Sequence, residues 1–73
     1  MACYFGQIKS VFREATIHVS TENEADIADF LAELVRVPGG ECPDVWRVLR
    51  PWVEERRMRE ILVVALRDEF GEQ

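Results

Sequence analysis

The chain has 73 residues, 48% of them hydrophobic, and carries 14 Asp and Glu against nine Lys and Arg for a formal charge of −5. That length suits one small domain, residues 1–73, and the balance excludes a disordered, collagen-like or disulfide-scaffold chain. The acid excess disfavours a general nucleic-acid binder, and the longest apolar run, residues 61–66, is too short to span a bilayer.

No secretory leader is expected, so no membrane association follows from the sequence. Cys3 and Cys42 form no CxxC pair and read as reduced, partly buried thiols of a cytoplasmic protein; a Cys3–Cys42 bridge is the less supported alternative. All the basic residues but Lys9 are arginine, which makes planar multi-donor contacts that lysine cannot. A domain this small buries only about 60% of its unfolded surface, so its core is marginal alone.

Residues 2–8, with Tyr4, Phe5 and Ile8, read as a first strand. In residues 14–20 the side chains alternate, with Ala15, Ile17 and Val19 on one face and Glu14, Thr16, His18 and Ser20 on the other. That pattern predicts a half-buried second strand. Thr21 and Glu24 form a capping-box pattern, and Ile27, Phe30, Leu31, Leu34 and Val35 follow the spacing of a buried helical stripe. A helix is expected over 22–37, stopped by Pro38-Gly39-Gly40.

From Pro43, a second stripe runs through Val45, Val48, Leu49, Trp52 and Val53, with Pro51 inside it. Proline there removes an amide donor and clashes with the preceding turn. Two short helices or one kinked helix are expected over 43–59. Residues 60–67 are short, β-branched and apolar on both faces, which favours a central strand over a continued helix. Residues 68–73 read as an acidic tail.

The resulting expectation is an α+β fold: a three-stranded antiparallel sheet with two or three helices on one face, order ββααβ. The alternative is a mostly helical chain in which the C-terminal run continues the second helix. In the sheet, Leu62, Val64 and Leu66 would form an uncovered apolar row, predicting a homodimer or a hydrophobic partner site.

Charge is segregated. Residues 20–44 hold seven acids and one base, whereas residues 45–67 hold six arginines and three glutamates. Glu22, Asp26, Asp29 and Glu33 share the outer face of the first helix and offer an acidic docking stripe, although a solvated face is the plainer reading. Arg47, Arg50, Arg56, Arg57 and Arg59, interleaved with Trp46, could contact nucleic acid, but Glu54–Arg57, Glu55–Arg59 and Arg56–Glu60 have the spacing of local ion pairs.

No catalytic residue, metal site or cofactor is expected. His18 and the two cysteines lack zinc-site spacing, and one histidine with two remote thiols defines no triad. The glycine pair at 39–40 lacks the lysine and hydroxyl of a phosphate loop. The leading expectation is a non-catalytic module that binds and modulates, or inhibits, a protein partner; small bacterial or phage-encoded inhibitors have this general build. The alternatives are a dimeric nucleic-acid binder using residues 47–59 and an accessory subunit of an enzyme complex.

Overall fold

A computed structural model describes residues 3–37 and 39–71. The expected stop at Pro38, the first residue of the expected first strand and the last two of the tail lie outside them. A 3-10 turn, Phe5–Gln7, leads into four helices: α1 (Lys9–Glu14), α2 (Glu24–Leu34), α3 (Cys42–Glu54) and α4 (Arg56–Phe70). There is no strand among the described residues. The expected α+β sheet is therefore corrected to a helical fold, matching the mostly helical alternative, except that the C-terminal run forms a helix of its own and does not continue α3.

The alternation in residues 14–20 is real but encodes something other than a strand. Ala15 and Ile17 are buried, while Glu14, Thr16, His18 and Ser20 are exposed. The segment begins as the C-terminal cap of α1. Thr16 adopts φ 58°; its amide donates to the Arg13 carbonyl at 3.1 Å, and that of Ile17 to the Phe12 carbonyl at 2.9 Å. These are the paired bonds of a Schellman motif. Residues 17–20 then run over the core as an irregular connector with no strand beside them.

α2 ends the same way. Arg36 takes φ 64°, and the Arg36 and Val37 amides donate to the Glu33 and Ala32 carbonyls at 3.0 and 2.7 Å. The helix is thus shorter than 22–37 at both ends. Its start is displaced because Asn23, rather than the Thr21–Glu24 box, organises the entry: the Asn23 side chain accepts from the Ser20 amide at 2.8 Å and donates to the His18 carbonyl at 3.0 Å. After α2, Gly39 at φ 72° turns the chain. A Cβ on Gly40 would lie 2.9 Å from the Val37 carbonyl oxygen, so the turn admits no side chain there.

Pro51 does not end α3, which continues to Glu54. The break comes at Glu55, whose backbone is extended (φ −86°, ψ 125°) and whose carboxylate accepts from the Met58 amide at 3.1 Å. Glu55 thus caps α4. The apolar run expected as a strand lies inside α4 because three of its members form a helical stripe. Leu62, Val63 and Leu66 enter the core, whereas Ile61 and Val64 remain 53% and 46% exposed.

The core gathers Tyr4, Phe5, Ile8, Val11 and Phe12 from the N-terminal segment, Ile27 and Leu31 from α2, Val45 and Leu49 from α3, and the α4 stripe. α3 and α4 pack closely, and α1 lies against α4. Arg59 holds that second contact by donating to the Glu14 carboxylate (Nε–Oε2 3.1 Å) and to the Ser10 hydroxyl at 3.0 Å. Arg67 donates to the Glu14 carbonyl at 2.7 Å, satisfying an acceptor at the end of α1.

The two cysteines are bonded to each other, correcting the expectation of reduced thiols. The bridge ties the N-terminal segment to the start of α3, where Tyr4 stacks on Trp46 with ring centres 5.9 Å apart and planes 9° from parallel. No helix among the described residues is long and apolar enough to cross a membrane.

Candidate protein-interaction surface

α2 places its apolar stripe inward, so its acidic residues face outward. Asp26, Asp29 and Glu33 succeed one another at three- and four-residue spacing and are exposed. Glu22 is also exposed but lies in the turn before α2. The C-terminus of α4 comes to rest beside this face. Asp26, Asp29 and Glu33 line one open groove together with Phe30, Glu69 and Phe70. The floor is an edge-to-face pair, Phe30 and Phe70, with ring centres 5.5 Å apart and planes at 90°.

The groove is strongly anionic. None of its four carboxylates makes an ion pair among the described residues. The carbonyl end of α4 points to the same region and adds the negative pole of its dipole. Asp29 also acts inward: burial first, and the Asp29 charge second, hold the Tyr4 phenol above its ordinary pKa of 10.0. With carboxylates on its rim and aromatic rings beneath them, the groove can bind cations and aliphatic stems.

The basic and aromatic residues expected to form a second site are only partly brought together: Arg56 and Arg59 line one cavity with Arg67, Glu14 and Glu60, and Trp46, Arg47, Arg50 and Arg57 lie outside it. Trp46 is half-buried, with one face of its ring stacked on Tyr4. Arg47 pairs with Asp44 at 2.9 Å, Arg50 with Glu54 at 2.6 Å, and Arg59 with Glu14. Arg56 and Arg57 are exposed without an ion pair among the described residues. The three pairs expected from helical spacing do not form among the described residues: the break at Glu55 separates Glu54 from α4 and commits Glu55 to capping, while Arg56 and Glu60, both inside α4, are not paired with each other.

The row Leu62, Val64, Leu66 is not a surface. Leu62 and Leu66 are fully buried and unavailable for self-association, and Val64 alone is exposed. Phe30, Glu69 and Phe70, which complete the acidic groove, were not legible as site residues, since Phe30 counted toward the core stripe and the other two toward a tail. Their only sequence signal is an aromatic beside an acid at the end of the chain's last amphipathic stretch. Among the described residues no cluster of histidine, cysteine and carboxylate side chains could hold a metal ion.

Compared with known proteins, the chain matches no protein-family model, no curated protein and no solved structure.

Proposed function

We propose that the protein is a non-catalytic interaction module that holds a basic segment of a partner protein in the α2–α4 groove and so modulates that partner. The observation that carries this reading is the joining of four unpaired carboxylates, from two helices, around an aromatic floor. Such a floor receives the aliphatic stem or guanidinium plane of an arginine while the rim neutralises its charge. An ordinary solvated acidic face has the rim without the floor.

The cytoplasmic setting expected from the cysteine count is not required. A bond such as Cys3–Cys42 persists in oxidising surroundings, and the groove contains neither cysteine.

The test is a fluorescence-polarisation titration with a synthetic Arg/Lys-rich peptide carrying one aliphatic anchor, against the parent chain and the Asp26→Ser, Asp29→Ser, Glu33→Ser triple variant. Binding should strengthen at low salt and weaken at least about tenfold in the variant. Equal binding by both chains would remove the groove as the contact. A duplex DNA or RNA probe run in parallel should show no shift.

A further inference from the structure

α4 carries a second surface on the side turned away from the core. Arg57, Ile61, Val64 and Asp68 follow one another at spacings of four, three and four residues. This alternation draws a single stripe along a helix and is the repeat of a coiled-coil seam. Ile61 and Val64 are the most exposed large apolar residues among those described. With Arg57 and Asp68 at its ends, and Glu60 and Ala65 beside it, the stripe lines one shallow groove.

The order of charges along the stripe identifies its occupant. It reads cation, apolar, apolar, anion in the chain direction. Two copies laid parallel and in register would set Arg57 against Arg57 and Asp68 against Asp68. Laid antiparallel about a two-fold axis between Leu62 and Val63, they set Ile61 against Val64 and Arg57 against Asp68 of the other copy, at both ends. This is the pairing of alternate seam positions that antiparallel helices make, and the like-charge clash of the parallel arrangement excludes its rival.

The same order of charges runs against α4's own dipole. Arg56 and Arg57 occupy its first turn and Asp68 and Glu69 its last, opposed in part by the Glu55 cap before the first turn and by Arg67 in the last. Within one chain Arg57 and Asp68 thus each stand at the unfavourable end. In the antiparallel pair each Arg57 lies beside the carbonyl end of the neighbouring helix as well as its Asp68, so the unfavourable placement becomes complementary.

We propose that two copies of the chain pair antiparallel through Arg57, Ile61, Val64 and Asp68 of α4, forming a two-fold dimer. The seam shares no residue with the acidic groove, so the dimer stands or falls independently of peptide binding there. Two short heptads of prefolded helix make a small interface, which places the dimer in the weak class.

The test is light scattering and sedimentation equilibrium on the full disulfide-bonded chain. At concentrations on the order of 100 µM, the mass should approach twice the 8.5 kDa of one chain. Arg57→Asp and Asp68→Arg should each weaken association at least about tenfold by setting like charges together. The double reversal should restore it to within about threefold of the parent. Both positions are exposed, and circular dichroism on each variant verifies the fold. A monomer at that concentration, single reversals that leave the dimer unchanged, or a double reversal that fails to restore it would each overturn the proposal.

Discussion

Phe30 of α2 and Phe70 of α4 meet edge to face at 5.5 Å. This contact seats the last residue of α4 against the acidic face of α2. It makes a groove from two helices with α3 between them in the chain, and it supplies the floor without which the carboxylates would be only a solvated helix face. Phe70→Ala should cost about 1–2 kcal/mol of stability, the sum of partial burial and ring-pair energy, and should weaken capture of the basic peptide. Phe70→Leu should recover most of the stability but not the peptide affinity. Thermal melts and polarisation titrations on the same preparations separate the two effects.

The Cys3–Cys42 bridge closes a long loop, with 39 residues of sequence separation. In the chain-entropy account, a loop of that length stabilises the folded state by about 4 kcal/mol through the unfolded ensemble. For a domain this small that is a large share of total stability. Denaturant titrations of the Cys3→Ser, Cys42→Ser variant, or of the parent under reductant, should give an unfolding free energy lower by about 3–4 kcal/mol. Unchanged midpoints would show that the helical core alone suffices.

Tyr4 sets an alkaline limit. Its phenol lies above its ordinary value of 10.0, through burial and then the Asp29 charge. The folded state therefore binds that proton more tightly than the unfolded chain does. The corresponding stability is fully present below pH 10 and is lost as pH rises through the raised folded value. Melting temperatures of the parent should fall more steeply above pH 10 than those of Tyr4→Phe, which retains the stacked ring but has no proton to lose.

The burial pattern of α4 makes a sharp mutational contrast. Leu62→Ala and Leu66→Ala should each destabilise by about 2–5 kcal/mol, because both side chains are fully enclosed. Val64→Ala, at an exposed site, should change stability by less than about 1 kcal/mol. Similar costs at all three positions would indicate that they share one face, as in the strand that the sequence suggested.

The helices with one-sided stripes were legible. Ile27, Leu31 and Val35 of the α2 stretch, and Val45 and Leu49 of α3, are buried as their spacing requires, whereas Val48 of the expected α3 stripe is exposed. α4 was not, for two physical reasons. It is apolar on the core side and again on the outer side, so residues 61–66 lose the one-sided signature of an amphipathic helix. Arg56 and Arg57 in its first turn and Asp68 and Glu69 in its last also oppose a helix dipole, and the Glu55 cap with the packing of Leu62, Val63 and Leu66 overrides them. The alternation at 14–20 misled differently: a helix cap followed by an irregular connector lying on the core alternates in burial as a strand does, with no partner strand beside it. The acidic half of the candidate groove was visible as Asp26, Asp29 and Glu33. The aromatic half depends on the end of α4 returning to α2, which no local pattern encodes.

The groove is tested most directly by mapping backbone amide shifts in a 1H–15N correlation spectrum as the basic peptide is added. The largest changes should fall on residues 26–33 and 69–71, with few on the outer α4 stripe. Changes concentrated on residues 56–68, with α2 unmoved, would contradict the assignment of the α2–α4 groove as the partner-binding surface.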